Sequence, residues 1–208
     1  MNKDIPATIY ANIYAMLPYR GITPDIPLDQ DKFRADLSLR DYTVITGVRD
    51  IEKSGEQVKI KSIIVLFNEG TSKGQKTADF KKVLVDVVRG NNAATCELMT
   101  VTEEPLNTHL EKAVDAFKYG TEWYIENHSY SNFIIEFPKH EIMDKHEIVP
   151  AVELDQLLFD LKTDKSKLPK MLSKDTGAIW IGARAGQVVR VYRTSETAGT
   201  AIAYRLVR

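Results

Sequence analysis

A single cysteine, Cys96, stands in a chain of 208 residues. It excludes an intrachain disulfide framework and any cysteine-rich zinc site. Its setting, Ala94-Thr95-Cys96-Glu97-Leu98, predicts a small buried thiol rather than a nucleophile. Long apolar runs are also missing. No stretch approaches the roughly 18–20 residues that span a bilayer, and Met1-Asn2-Lys3-Asp4 lacks the apolar core of a signal peptide. The expectation is a soluble, intracellular protein. A charge excess is missing too, since 28 Lys and Arg oppose 29 Asp and Glu. A protein that holds nucleic acid alone carries a basic excess, because phosphate neutralisation supplies most non-specific affinity. Any DNA contact here is therefore local, or shared with a partner.

Apolar residues make up 43% of the chain, slightly below the roughly 45–50% of globular proteins and enough for a folded core. Length suits one large domain or two small ones. Ile5, Ile9, Ile13, Met16 and Leu17 recur at helical spacing, with Arg20-Gly21 as the stop. Residues 22–60 are polar and ambiguous apart from a strand over Tyr42 to Thr46. Ser62 to Phe67 reads as a buried strand. Phe80, Val83, Leu84 and Val87 share one face of a helix from about Thr77 to Arg89, with Gly90 at C′. A second strand covers Ala94 to Val101. Pro105 suits the first turn of a helix carrying Leu110, Val114 and Phe117. A third strand is expected over Asn132 to Phe137. Strand–helix–strand–helix–strand implies an α/β sheet with parallel neighbours, through about residue 138.

There the pattern changes. A polar connection leads to an amphipathic helix with Leu154, Leu157, Leu158 and Leu161, and then to short strands at Ala178 to Gly182, Gln187 to Arg193 and Thr200 to Val207. Two domains follow, 1–138 and 139–208, α/β and then small α+β (α+β overall).

Several candidate sites fail on spacing. Gly70-Thr71-Ser72-Lys73-Gly74-Gln75-Lys76-Thr77 lies where a phosphate-cradling loop belongs, but Gln75 separates the glycine from the lysine. Gly177, Gly182 and Gly186 do not fit a dinucleotide fingerprint. Metal-assisted cleavage of nucleic acid needs converging carboxylates. Asp41 and Glu56 are the available pair, in polar segments. His140 and His146 are six apart, with Asp144 between them, where zinc helices use a spacing of four. His109 and His128 have no evident partners. No catalytic, metal or cofactor site is expected.

The strongest feature is the run Gly186-Gln187-Val188-Val189-Arg190-Val191-Tyr192-Arg193-Thr194-Ser195-Glu196-Thr197-Ala198-Gly199, followed by Ile202 and Tyr204-Arg205-Leu206-Val207. It reads as a hairpin, two β-rich segments around small and polar residues, with Gly199 free to take positive φ. From Asp175 onward five Arg oppose two acids, so this end is locally basic. Such a terminal hairpin can close on itself or offer an edge to a partner chain.

This run resembles the C-terminal domain of the fifth subunit of the eukaryotic nuclear RNA polymerases, a family that also has archaeal members. Gly-Gln-Val-Val, Arg-x-Ser-Glu-Thr-Ala-Gly and Tyr-Arg-Leu-Val match in order and spacing. His140-Glu141-Ile142 and His146 match its two-histidine segment, and Leu168-Pro169 and Asp175 match the links that follow. Residues 1–138 match weakly, through Phe67-x-Glu69, Gly74 with Lys76, and the strand–Pro105–helix order. The chain departs from the family at Thr194 and Thr176, each in place of a proline, and at Met143-Asp144. Each lost proline restores an N–H and frees the backbone.

The resemblance implies a non-catalytic subunit of a DNA-dependent RNA polymerase, without a cofactor of its own. It implies a C-terminal assembly domain that docks on the largest subunit. The docking positions carried over are His140, His146, Gly182, Gly186, Gln187, Arg193, Ser195, Glu196, Thr197, Ala198, Gly199, Tyr204 and Arg205. It further implies an N-terminal jaw-like domain of restriction-nuclease-like topology beside downstream duplex DNA, with Pro105 and Leu106 nearest to it. Archaeal relatives lack that first domain, which points to a eukaryotic or viral polymerase. The compartment is the nucleus if cellular, or the host cytoplasm, host nucleus or virion if viral. A metal-dependent nuclease on the same framework and a free-standing transcription adaptor are the alternatives.

Overall fold

The computed structural model describes residues 5–36, 41–53, 56–68, 77–91, 96–118, 123–140, 143–195 and 199–208. The chain divides into two units, Met1–Ile134 and Ile135–Arg208, while its composition changes at about Pro138. The fold is mixed α+β, with one sheet in each unit.

The first unit runs α1 (Ile5–Met16), a 3-10 turn (Leu17–Arg20), β1 (Ile22–Pro24), α2 (Gln30–Asp36), β2 (Tyr42–Lys53) and β3 (Glu56–Phe67). It continues with α3 (Thr77–Gly90), β4 (Cys96–Thr102), α4 (Thr108–Lys118) and β5 (Tyr124–Ser129). The strands lie in sequence order. The β1–β2 and β2–β3 pairs are antiparallel, and β3–β4 and β4–β5 are parallel. The two parallel crossovers step the same way across the sheet, so their helices share one face. There Phe80, Leu84, Leu110 and Val114 pack on Ile63, Val65, Phe67, Cys96, Leu98 and Ile125. Side chains alternate along a strand, and the alternate set, Ile45, Ile64, Leu66, Met99 and Val101, is buried on the other face. The stripe Ile9, Ile13, Met16 and Leu17 is at most 1% exposed.

Four expectations need correction. The third strand is β5, not residues 132–137. Its alternate residues are polar, because Glu126 meets Arg20 beneath the sheet and His128 meets Glu126, so its apolar content is low. Residues 130–132 form a 3-10 turn instead, with Phe133 buried and Ile134 and Ile135 exposed. The helix expected from Pro105 begins at Thr108. Asn107 is its cap, its Oδ1 accepting the Leu110 N–H at 2.9 Å. Gly90 is the last residue of α3 rather than the one beyond, and the Asn91 side chain caps the Val87 carbonyl at 2.8 Å. Ala178 to Ile181 is helical, with Gly182 as the cap beyond it. A short apolar run reads equally as strand or buried helix, and here the Asp175 carboxylate accepts the Gly177 N–H and starts a helix.

The second unit holds β6 (Lys145–Ile148), α5 (Ala151–Asp160), β7 (Lys170–Met171), α6 (Thr176–Ile181), β8 (Val188–Ser195) and β9 (Gly199–Val207). Its sheet order is β6-β8-β9-β7, antiparallel except for β7 with β9. Each face carries one helix. Ala178 and Ile181 of α6 pack with Val189, Val191 and Val207, and Leu154, Leu157 and Leu158 of α5 pack with Val188, Tyr204 and Leu206. Trp180 is fully buried. No helix among the described residues is long and apolar enough to cross a membrane.

Candidate docking site at the C-terminal hairpin

The motif residues divide between building the hairpin and furnishing its surface. Gly182 ends α6 at φ +66, where its N–H and that of Ala183 close on the Ile179 and Ala178 carbonyls. Only glycine takes that conformation without strain. The Gln187 side chain accepts the Arg184 N–H at 2.7 Å, and its carbonyl accepts the Val207 N–H at 2.9 Å. Gly186 donates to the Val207 carbonyl at 2.9 Å. Gly186 and Gln187 thus hold the start of β8 against the end of β9. At the far end Ser195 pairs with Gly199, which sits at φ +70 as the sequence predicts. Glu196, Thr197 and Ala198 lie outside the described residues.

Tyr204 faces α5, with the Arg190 guanidinium 5.9 Å from its ring centroid. Arg190 also reaches Glu153 at 3.1 Å. On the opposite face, Arg193 approaches Asp144 at 3.5 Å. The His146 Nδ1 lies 2.7 Å from the Asp144 carbonyl, and its ring lies against Gly177 and beside Phe137. A β-carbon on Gly177 would sit 2.9 Å from the His146 Nε2. His140 is exposed at the end of a 3-10 turn. Asp144, His146, Lys170, Met171, Leu172, Asp175, Val191, Arg193 and Arg205 thus border one cleft of about 370 Å³. Sequence spacing had missed Lys170 and Leu172, which β7 brings alongside β9. Their only signal was a Pro169 that ends the preceding segment.

In the first unit, Pro105 is exposed in the loop after β4, and Leu106 is 6% exposed in the core beneath α3 and α4. Asp41 and Glu56 stand at opposite ends of the β2–β3 pair, where Tyr42 meets Phe67 and Lys53 meets Glu56. At about 3.3 Å per residue the two backbones are roughly 40 Å apart, too far to share a metal ion. No group of three or more potential metal ligands occurs among the described residues. Burial, and then the Glu97 charge, push the Cys96 thiol up to about 11, the opposite of what a nucleophile needs. His109 is exposed, and His128 lies 3.2 Å from Glu126. The Gly70–Lys76 loop falls outside the described residues.

Fold and site together define a two-unit α+β protein whose C-terminal unit spends its motif on a tightly pinned terminal hairpin. Residues 135–207 match the family described as RNA polymerase Rpb5, C-terminal domain. The chain is 47% identical over 68 residues to DNA-directed RNA polymerase subunit Rpo5 of Methanocaldococcus jannaschii, covering 33% of this chain and 87% of that one. It is 31% identical over 145 residues to DNA-directed RNA polymerases I, II, and III subunit RPABC1 of Caenorhabditis briggsae, covering 70% of this chain and 65% of that one. The Dictyostelium discoideum protein of the same description is 28% identical over 125 residues, covering 60% and 62%. The chain therefore spans a little under two thirds of these two longer relatives. It belongs to the Rpb5 family of RNA polymerase subunits.

Proposed function

We propose that this chain is a non-catalytic subunit of a multisubunit DNA-dependent RNA polymerase. Residues 139–208 serve as its assembly domain and dock on the largest subunit, and residues 1–138 form part of the jaw beside downstream duplex. The observation that carries this reading is a coincidence of limits. The family match, 135–207, is almost the whole of the second unit, Ile135–Arg208. Selection on that unit as a whole suits a module that must fold and dock as one body. The near-neutral charge supports a shared rather than independent hold on DNA. Pro105, exposed on the loop that Leu106 anchors to the core, is the part brought nearest to the duplex. The compartment is that of the polymerase served, the nucleus in a cell, or the host nucleus, cytoplasm or virion for a virus.

The test is purification of tagged full-length chain from its native source. One copy per polymerase, together with the two largest subunits, is expected, and deletion of residues 187–208 abolishes the association. Association that survives the deletion removes the docking claim. Clearly sub-stoichiometric recovery would favour a free-standing adaptor.

A further inference from the structure

Arg193 and Arg205 occupy places where strand alternation calls for apolar residues. On β8 the α6-facing series is Val189, Val191, Arg193, and on β9 it is Ala201, Ala203, Arg205, Val207. Both guanidiniums therefore emerge on the core face, at the margin of the α6 packing. Arg193 has Asp144 at 3.5 Å. Arg205 is half-buried, and no carboxylate among the described residues lies within ion-pair distance of it. A half-buried guanidinium without an acid is costly unless something else satisfies it. Inward charges also discourage sheets from pairing edge to edge, but that purpose does not require a cleft. The floor between Arg193 and Arg205 is formed by buried Met171 and Val191.

We propose that this cleft receives a single carboxylate side chain from an extended segment of the partner subunit, with Arg205 as its principal charge and Arg193 beside it. The inference rests on the polymerase reading above and names the chemistry of that contact. Three observations favour a peptide over a nucleic-acid phosphate. Asp144 and Asp175 stand on the same rim, so the two arginines can balance one added carboxylate but not a polyanionic backbone. The apolar floor, with Leu172 67% exposed at its edge, suits the methylene stem of a glutamate or aspartate. The outer edge of β9 from Gly199 to Ala203 has no strand partner among the described residues, because β7 pairs only at Leu206 and Val207. An extended segment can add there by backbone hydrogen bonds while its alternate side chains point to the cleft. Arginine also matches a carboxylate two-pronged, which lysine cannot do.

The experiment compares full-length wild type, Arg205→Met, Arg205→Glu and a control, Lys82→Glu on the exposed side of α3, for binding to polymerase depleted of this subunit, across a salt series. Arg205→Met is expected to weaken binding about tenfold and to flatten its salt dependence, as loss of a partly solvent-accessible charge pair does. Arg205→Glu weakens it further, and Lys82→Glu leaves it unchanged. Circular dichroism and melting establish that each variant folds. A photoreactive side chain at Leu172, in an otherwise wild-type chain, is expected to cross-link a partner segment containing Asp or Glu, and it decides the matter if the Arg205 variants misfold. Wild-type affinity in both Arg205 variants, a cross-link to a segment without acids, or a cross-link to nucleic acid overturns the proposal. If wild type binds while the variants are unaltered, only the cleft is lost. If wild type itself does not bind, the polymerase reading falls and the cleft with it.

Discussion

Gly177 lies under the His146 ring, with room for a hydrogen and nothing larger. Alanine is ordinarily the better helix former by roughly 1 kcal/mol, but at this position its β-carbon would displace the imidazole from the Asp144 carbonyl. Gly177→Ala is expected to destabilise the second unit by about 1–3 kcal/mol, as overpacking does. Thermal melting reads the loss, and a shifted His146 ring resonance in NMR reads its cause. In the first unit the comparable point is Glu126. Burial alone raises its carboxyl, but Arg20 and His128 outweigh this and hold it well below the usual carboxylate range. Arg20→Met strands that carboxylate and is expected to cost about 3–5 kcal/mol in urea unfolding. Adding Glu126→Gln should return most of the loss, and failure to do so would mean Arg20 acts through packing instead. Because the folded carboxyl titrates lower than the unfolded one, its contribution is complete above about pH 5 and is lost as pH falls through the folded value. Glu126→Gln should therefore flatten the decline in stability on acidification.

Among the elements, α6 shows how one side chain selects between alternatives. Thr176–Ile181 is only six residues long, too short to be helical alone. The Asp175 cap at its start, Gly182 at its end and the burial of Trp180 hold it. Asp175→Ala is expected to cost about 1 kcal/mol, and Trp180→Ala about 3–5 kcal/mol, both measurable as shifts in melting temperature. A smaller loss at Trp180 than at Asp175 would mean that the cap, not burial, holds the helix. Most of the remaining elements were legible by periodicity. The α3 stripe Phe80, Leu84 and Val87 and the β9 alternation emerge where their spacing puts them. β5 and α6 were not legible, for opposite reasons. In β5 a buried ion pair replaces apolar residues, and in α6 nearly every residue is buried, so no period remains to be read.

At the scale of the molecule, the archaeal relative matches 87% of its own length in only 33% of this chain, so the family's shared part is about the size of the second unit. Residues 135–208 alone are therefore expected to unfold in one cooperative transition and to retain polymerase binding in a pull-down. Residues 1–134 alone are expected to lose it. Binding by the first fragment and not by the second would place the main contact in the first unit. The candidate site was half legible at this scale. The hairpin motif and its arginines stand together in the sequence, whereas Lys170 and Leu172 join them only through the parallel pairing of β7 with β9.

The terminal hairpin and the family were thus determined by sequence alone. A fourteen-residue run with glycines at the required turns leaves the backbone few other solutions, and local chemistry suffices to read it. Tertiary structure alone decided what faces what. Arg193 and Arg205 differ little in sequence from Arg190, yet alternation across the paired strands turns Arg190 toward Tyr204 and α5, and turns the other two into a cleft on the α6 side. That division depends on pairing register, a long-range property carried by no single segment, because a shift of one residue would exchange the two faces.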